Sequence, residues 1–418
     1  MATASTTTRG CTHDQAWPHA ADDALAELLA HAQPLAGSET VSTFDADGRV
    51  LAQDCVSALQ VPPQDNSSMD GYAVRSNEVA DEGVSMPVSQ RIAAGAQPEP
   101  LVPGSAARIF TGAQVPPGAD AIVMQEDCEL LSEQGVRINR VPAPGQWIRR
   151  AGEDVTRGAV VLTSGQRLGP ADIGLAANIG LARLQVARRP RVALFSTGDE
   201  LVMPGAVPPE QMKPGTIYNS NRFFLRALLL RLGCELTDLG VVPDRRDATI
   251  EALRTASRDH DLILTSGGVS VGEEDHIKPA VETLGRLDFW QIAMKPGKPF
   301  AYGKVANAHF IGLPGNPVSS FVTFVLLVRP FLLKLQGATR LAAPGAPMTA
   351  HFDWRGDKRR EFLRVRRNAD GGIDLFPNQS SGVLTSASWA DGLVDNPAGR
   401  AIARGDAVRF LPLAELVQ

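Results

Sequence analysis

A regular alternation of apolar runs and helical segments begins at Arg188 and constrains the fold more than any other feature of this chain. The pattern predicts strands at 192–195, 236–242 and 262–264, and helices at 221–232 and 247–258. Strands that alternate with helices favour a parallel sheet with right-handed crossovers. Ligands of such sheets bind at the carboxyl ends of the strands, so polar motifs at those positions are candidate binding residues.

The rest of the 418-residue chain does not continue this alternation, so several domains are expected. An amphipathic, capped helix is predicted to begin at Asp22, and a second helical stretch at 168–181. Between them, short β-rich pieces with many turns indicate an inserted β domain, and similar pieces follow a helix that ends near Leu335. The predicted domains are a disordered tail at 1–18, a discontinuous helical linker domain at 19–55 plus 155–187, a β-rich insert at 56–154, an α/β domain at 188–340 and a small β barrel at 341–418.

A glycine-rich turn follows the strand at 262–264. Its residues run from Thr265 through Ser266, Gly267, Gly268 and Ser270 to Gly272. Glycines let backbone N–H groups approach a phosphate, and serine hydroxyls add donors. The spacing matches neither the Walker A pattern nor the dinucleotide fingerprint. Two interpretations of this segment therefore remain, an anion site and a plain tight turn.

Acidic residues follow three of the predicted strands. They are Glu200, Asp244 and Asp275. Each alone is typical of a solvated loop or a helix cap, but carboxylates beside a phosphate repel it unless a divalent cation lies between them. Mg²⁺ takes one or two carboxylates together with substrate oxygens, so Glu200 and Asp275 are predicted to share one.

Two lysines lie on a turn stiffened by prolines, Lys295-Pro296-Gly297-Lys298-Pro299. Lysine is a point charge suited to a compact oxyanion, although a surface hairpin would have the same sequence pattern. Leu313-Pro314-Gly315-Asn316-Pro317 fixes the backbone before the apolar run 318–328, which is too short to cross a bilayer and is predicted to be a buried helix.

Charge and cysteine usage exclude several classes of function. The net charge of -5 gives no support for nucleic-acid or membrane binding. Cys11, Cys55, Cys128 and Cys234 lie far apart without a CxxC pair, which disfavours a zinc site or a disulfide framework. The first 18 residues lack the apolar core of a secretory signal, so a cytoplasmic protein is expected.

Six motifs occur in the order and spacing of one known family. They are DNSSMDGYAVR, RIFTGA, FSTGDEL, TSGGVSVGEEDH, MKPGKPF and GLPGNPVSS. Beyond the N-terminal tail the whole chain resembles the molybdopterin molybdenumtransferases, the family of MoeA and the gephyrin E domain. The resemblance implies an α/β multidomain fold: a three-layer α/β pterin-binding domain with a parallel-type sheet, an inserted β-rich lid, a helical linker domain and a C-terminal β barrel.

The same resemblance implies a function. Molybdenum would be inserted from molybdate into adenylyl-molybdopterin: pterin thiolates attack molybdenum, oxygen leaves as water and the phosphoanhydride is cut to release AMP. Mg²⁺ would be required, in a homodimer whose clefts are built from both subunits. The molybdopterin adenylyltransferase and molybdoenzyme chaperones are the implied protein partners. Two alternatives stay open, a molybdopterin adenylyltransferase that uses ATP and a non-catalytic scaffold.

Site residues carry over where this chain matches the family's motifs. The implied catalytic residues are Asp70, Thr111, Asp154, Glu200, Asp244, Asp275 and Lys295, with Glu200 and Asp275 as the metal ligands. The implied cofactor-binding residues are Asn219, Ser220, Asn221, Ser266, Gly267, Gly268, Ser270, Lys298, Pro314, Pro317, Arg364 and Ser381. Many relatives have a basic residue where this chain has Gln291, so the oxyanion pocket is expected to have one cation fewer or another side chain in its place.

Overall fold

The computed structural model describes residues 20–132, 134–269 and 276–417. These residues form two compact units. The larger unit comprises the described residues of Met1–Glu39, Gly48–Val50 and Ala187–Gln418, and the smaller unit comprises those of Thr40–Asp47 and Leu51–Val186.

The helices and strands are numbered in chain order. The helices are α1 (Ala21–His31), α2 (Pro170–Asn178), α3 (Ser220–Arg231), α4 (Arg246–Asp259), α5 (Ile277–Leu284), α6 (Pro317–Thr323), α7 (Arg329–Leu335), α8 (Leu384–Trp389) and α9 (Leu413–Leu416). The strands are β1 (Ser38–Ser42), β2 (Cys55–Val56), β3 (Asn66–Ser67), β4 (Gly71–Val74), β5 (Val84–Ile92), β6 (Ala106–Ile109), β7 (Ala121–Met124), β8 (Cys128–Ser132), β9 (Gly135–Ile138), β10 (Ile148–Arg149), β11 (Val160–Leu162), β12 (Arg183–Ala187), β13 (Arg191–Thr197), β14 (Leu201–Val202), β15 (Ile217–Tyr218), β16 (Glu235–Val242), β17 (Leu262–Ser266), β18 (Gly285–Gln291), β19 (Met294–Lys295), β20 (Pro299–Val305), β21 (Ala308–Leu313), β22 (Ala346–Thr349), β23 (Arg360–Arg367), β24 (Ile373–Leu375), β25 (Gly392–Asn396) and β26 (Ala407–Pro412).

The main sheet of the larger unit has six strands in the order β16-β13-β17-β21-β20-β18. β13, β16, β17, α3 and α4 confirm the predicted strands and helices within a few residues at each end. The first four strands of the sheet are parallel, as predicted. β20 is antiparallel to both of its neighbours, β21 and β18. Only residues 306 and 307 connect β20 to β21, and so short a turn joins antiparallel strands.

Side chains alternate between two apolar cores on the faces of this sheet. Val192 and Leu194 of β13 pack with residues of α3, α6 and α7. Ala193 and Phe195 of the same strand pack with residues of α4 and α5. Successive residues of a strand point to opposite faces, so helices cover both sides and the strands are buried.

The predicted buried helix is confirmed and is longer than its apolar run. Pro317–Leu335 is continuous through a short π-helical segment, Phe324–Val328. Its length and mean hydropathy of 1.8 would suffice to cross a membrane, but 83% of the apolar window is buried inside the protein. It is a helix of the core.

The last part of the larger unit is a second sheet, in the order β19-β23-β25-β26-β22, with β24 also paired to β23. A bridge between Ala350, beside β22, and Ile373 joins the β22 end of this path to β24. β19 contains Lys295, so the lysine turn connects this second sheet to β20 of the main sheet. The alternative of a surface hairpin is therefore wrong.

The smaller unit contains a six-stranded sheet in the order β7-β4-β6-β5-β9-β8. The helix predicted at 168–181 is confirmed as α2. In the larger unit, the N-terminal helix begins at Ala21, and no side chain caps it, which corrects the predicted cap. Within the described residues Cys55, Cys128 and Cys234 form no disulfide bond.

Candidate active site

A cleft of about 750 Å³ lies at the carboxyl ends of the parallel strands, where the strand pattern predicts a ligand site. Ten residues named from the sequence line it: Glu200, Asn219, Ser220, Asn221, Asp244, Ser266, Gly267, Gly268, Pro314 and Pro317. They come from five separate segments that follow β13, β15, β16, β17 and β21. The sheet therefore brings together most of the predicted residues of this unit.

The backbone at Gly267, the first glycine of the turn, strongly favours glycine. Gly267 has φ +92°, and a Cβ there would lie 2.6 Å from the Thr197 carbonyl oxygen of the neighbouring strand. The Gly267 N–H donates to the Leu313 carbonyl at 3.1 Å, so it is used within the sheet. A ligand of this turn would instead meet Gly268 (φ +66°) and the Ser266 hydroxyl.

Asn221 ties together three walls of the cleft. It is 8% exposed, and its side-chain amide donates to Ser266 Oγ at 2.8 Å and to the Gly315 carbonyl at 2.7 Å. Asn219 caps α3, because its side-chain oxygen accepts from the Arg222 N–H at 3.2 Å. The start of α3 is thus fixed against both the glycine turn and the Pro314–Pro317 segment.

Several buried polar side-chain atoms of the larger unit have no hydrogen-bond partner among the described residues. They are Ser196 Oγ, Thr197 Oγ1, Asn219 Nδ2, Thr265 Oγ1, Ser320 Oγ and Thr323 Oγ1. An unsatisfied buried polar group costs about 1–3 kcal/mol, and folded proteins leave few of them. Thr197 and Asn219 line the cleft, so two of these unpartnered atoms belong to residues of its wall.

Glu200 and Asp244 both line the cleft, as predicted. Glu200 is exposed, folds back over Gly198 and has no ion pair with a described residue. The Asp244 N–H donates to Asp199 Oδ1 at 3.2 Å. Asp275 and Ser270 lie outside the described residues. Among the residues that are described, no group of three His, Cys, Asp or Glu could hold a metal ion. Carboxylate oxygens on the rim do fit Mg²⁺, which needs only one or two of them beside substrate oxygens.

Lys295 does not line the cleft and is not a free cation. Its Nζ lies 3.0 Å from Asp357 Oδ2 and 3.2 Å from Glu361 Oε1. Glu361 is fully buried, and its other oxygen accepts from Trp354 Nε1 at 2.7 Å. Burial raises the pKa of the Asp357 carboxyl, but hydrogen bonds from Arg359 and Lys295 outweigh it and hold that pKa far below its usual range.

Lys298 differs from Lys295, because it is exposed and has no ion pair with a described residue. The next residue, Pro299, lines the cleft. Pro299 also pairs with Gln291 across β20 and β18, so Gln291 lies at the same edge of the cleft as Lys298.

Arg364 and Ser381 lie behind the cleft. The Ser381 carbonyl accepts from the Val318 N–H at 3.0 Å at the start of α6, and its neighbour Gly382 lines the cleft. Arg364 is 1% exposed and donates to the Phe362 carbonyl at 3.0 Å and to Ser386 Oγ at 3.2 Å. Burial lowers the pKa of its guanidinium to about 10. Arg364 therefore supports the segment that carries Ser381 rather than facing the open cleft.

In the smaller unit, two predicted residues form one hydrogen-bonded pair. Asp70 Oδ1 accepts from the Thr111 N–H at 2.8 Å and from the Thr111 hydroxyl at 2.7 Å. These two bonds, followed by the positive charge of Arg108, lower the pKa of Asp70. Asp154 is exposed, and its backbone N–H donates to the Val61 carbonyl at 3.0 Å.

Some functional candidates were not found from the sequence. Thr197, Ile217, Tyr218, Asn316, Ser319 and Leu384 also line the cleft. Thr197 ends β13 and Asn316 follows β21, and they belong to two of the six family motifs. Their positions at the ends of strands could have identified them as cleft residues. Asp357 and Glu361 gave none, because only the pairing of β19 with β23 brings them to Lys295.

Three family models match successive parts of this chain. Residues 19–180 match the MoeA N-terminal region (domain I and II), residues 193–334 match the "Probable molybdopterin binding domain", and residues 347–413 match the MoeA C-terminal region (domain IV). The cleft residues from Thr197 to Ser319 fall within the second model.

Curated relatives and solved structures agree with these matches. The chain is 43% identical to the molybdopterin molybdenumtransferase of Haemophilus influenzae over 77% of this chain and 79% of that protein. It is 38% identical to the enzyme of the same name from a Nostoc species, over 90% and 89%. The crystal structure of a molybdopterin biosynthesis MoeA protein from Pyrococcus horikoshii superposes with a TM-score of 0.83 at 28% identity, covering 95% of this chain and 100% of that one.

Proposed function

Because this chain belongs to the molybdopterin molybdenumtransferase family, we propose that it inserts molybdenum from molybdate into adenylyl-molybdopterin and releases AMP, giving molybdenum cofactor. The observation that carries the proposal is the cleft itself. Polar groups from five segments converge at the carboxyl ends of the sheet, and the wall includes polar atoms with no partner among the described residues.

The cleft is suited to the phosphate and pterin ends of the substrate. Gly268 and Ser266 would offer donors to a phosphate, and the Asn219–Asn221 segment would line the pterin end. Asn221 fixes the relative positions of these two walls through its hydrogen bonds to Ser266 and Gly315. Positioning of this kind supplies a large part of the rate of a transfer reaction.

Mg²⁺ fits the acidic rim, with Glu200 and the undescribed Asp275 as its proposed ligands and Asp244 nearby. When bound, it would neutralise negative charge on the phosphoanhydride that is cut. Glu200 has no competing ion pair with a described residue. Asp244, which also lines the cleft, is proposed to bind the substrate at the same rim.

Lys298 is the proposed contact for molybdate, with Lys295 beside it on the same turn. An exposed ammonium next to the cleft attracts a tetrahedral dianion by charge alone, without a fixed geometry. This chain has Gln291 at that edge, so Lys298 would take the larger share of the oxyanion's charge.

The remaining assignments follow the family. The smaller unit would contain the lid at 56–154 and most of the linker domain at 19–55 plus 155–187, with Asp70, Thr111 and Asp154 acting from the lid. The second sheet of the larger unit would be the C-terminal barrel, and the enzyme would work as a cytoplasmic homodimer. The molybdopterin adenylyltransferase and molybdoenzyme chaperones are its proposed partners.

The direct test supplies the purified full-length protein with adenylyl-molybdopterin, molybdate and Mg²⁺. Equal amounts of AMP and molybdenum cofactor are expected, and both should disappear when molybdate is left out. A parallel reaction with ATP and metal-free molybdopterin should release no pyrophosphate. Release of pyrophosphate, without AMP in the first reaction, would show an adenylyltransferase instead. No reaction in either would leave a scaffold protein.

A further inference from the structure

Lys295 belongs to a group of four charged residues whose charges cancel. Lys295 and Arg359 are positive, and Asp357 and Glu361 are negative. Lys295 lies within 3.2 Å of both carboxylates, and Arg359 Nε donates to Asp357 Oδ1 at 3.3 Å. The exposed fractions of the three side chains around Lys295 Nζ are 36% for Lys295, 22% for Asp357 and 1% for Glu361.

Glu361 is the unusual member, because a fully buried carboxylate is stable only when it is paired. Trp354 Nε1 satisfies one of its oxygens, and the ammonium of Lys295 faces the other. The register of β19 against β23 places Lys295 directly beside Glu361, so this pairing is built into the backbone. Glu361 and Asp357 therefore keep two negative charges at the lysine turn.

We infer that Glu361 and Asp357 set the anion affinity of the oxyanion pocket: they cancel the charge of Lys295, so that the lysine turn holds a tetrahedral dianion weakly. Lys295 shields the pocket from these two carboxylates, and Lys298 is left as the cation that attracts the anion. A pocket of lower net charge retains abundant dianions such as sulfate less strongly. This inference rests on the proposed function, which places molybdate at the same turn.

The inference predicts that the conservative change Glu361→Gln strengthens anion binding. Removing one negative charge beside the lysine turn, where solvent partly screens it, should tighten binding of a dianion by about fivefold. The Kd of the full-length protein for molybdate, measured by calorimetry, should fall by that factor, and so should the inhibition constant of sulfate. Damage to the fold weakens binding, so a gain in affinity cannot come from a merely structural role.

Charge compensation gives the second part of the test. Lys295→Gln leaves the two carboxylates unmasked and should weaken molybdate binding by about fivefold or more. Adding Glu361→Gln to Lys295→Gln should recover most of that loss. The Asp357 side chain is more exposed than that of Glu361, so Asp357→Asn should disturb the fold less. It should reproduce the gain in molybdate affinity if Glu361→Gln does not fold.

The matched control is Asp395→Asn, which removes a buried carboxylate from the same second sheet. Asp395 pairs with Arg360 and Arg409, and the change should lower stability without altering molybdate affinity. An unchanged or weaker affinity in both Glu361→Gln and Asp357→Asn overturns the inference, while AMP release by the unaltered enzyme keeps the proposed function. If the unaltered enzyme releases no AMP in the presence of molybdate, the proposed function itself is overturned.

Discussion

Replacing Gly267 by alanine tests how the glycine turn shapes the cleft. The residue has φ +92°, and its new Cβ would lie 2.6 Å from the Thr197 carbonyl oxygen and 3.4 Å from Thr197 Oγ1. The left-handed backbone costs an alanine about 1–2 kcal/mol. The close contact is with the backbone of a central strand, which cannot yield as a side chain would, and overpacking of this kind costs about 1–3 kcal/mol more.

The free energy of unfolding of the larger unit should therefore fall by about 2–5 kcal/mol in Gly267→Ala. Gly233→Ala is the matched control, because Gly233 has φ +76° and nothing within 4 Å of its added Cβ. It should cost only the backbone part, about 1–2 kcal/mol. Urea unfolding of both variants, read by tryptophan fluorescence and far-ultraviolet circular dichroism, gives the difference.

Gly267→Ala should also weaken substrate binding. A turn displaced by a few tenths of an ångström no longer matches a phosphate, and the KM for adenylyl-molybdopterin should rise at least about tenfold, which corresponds to about 1.4 kcal/mol. Gly233→Ala should leave that KM unchanged, because Gly233 follows α3 at the end away from the cleft. Equal stability losses in the two variants, with an unchanged KM in Gly267→Ala, would refute the reasoning.

Three further predictions test other parts of the molecule. Asn221→Ala removes the bonds to Ser266 Oγ and the Gly315 carbonyl, so stability should fall by about 2 kcal/mol in urea unfolding and turnover should fall with it; a stable variant with normal turnover would contradict this role. Thr111→Val removes the hydroxyl bond that helps to lower the pKa of Asp70, so the acid limb of the pH–activity profile should move to higher pH, while Thr111→Ser should keep the original limb. Burial, followed by the charge of Lys304, lowers the pKa of His309 from 6.5 to about 4. The contribution of the neutral His309 to the free energy of unfolding is therefore fully present above about pH 6.5, and about 3 kcal/mol should be lost as the pH drops towards 4. His309→Phe should largely abolish this dependence in urea unfolding at several pH values.

The sequence predicts the parallel part of the main sheet well, for a local reason. β13, α3, β16, α4 and β17 each have an apolar periodicity that is complete within their own residues. β18 and β20 were not predicted, because their places in the sheet come from pairing with neighbouring strands, β20 with β18 and β21, and not from a pattern within either strand.

The residues of the cleft were predicted because they follow strands, and position after a strand is visible in a sequence. Glu200, Asp244 and Gly267 are of this kind, and all three line the cleft. The state of Lys295 was not predictable in the same way. The turn Lys295–Pro299 suggests two free cations, but Asp357 and Glu361 reach Lys295 only because β19 pairs with β23, a contact between segments some 60 residues apart.

Arg364 shows the same limit in the second sheet. Its motif position suggested a ligand contact, whereas its guanidinium donates hydrogen bonds to Phe362, Ser380 and Ser386 within the protein. Burial is a property of the assembled sheet, and nothing in the residues beside Arg364 distinguishes a buried arginine from an exposed one.

The most direct test of the central claim is a diffraction measurement on crystals soaked with AMP, Mg²⁺ and molybdate, recorded at the molybdenum absorption edge. The AMP phosphate is predicted at Gly268 and Ser266, and an anomalous molybdenum peak is predicted beside Lys298 at the edge of the same cleft. A vacant cleft with both ligands bound elsewhere on the protein would contradict the claim that this cleft is where molybdenum is inserted.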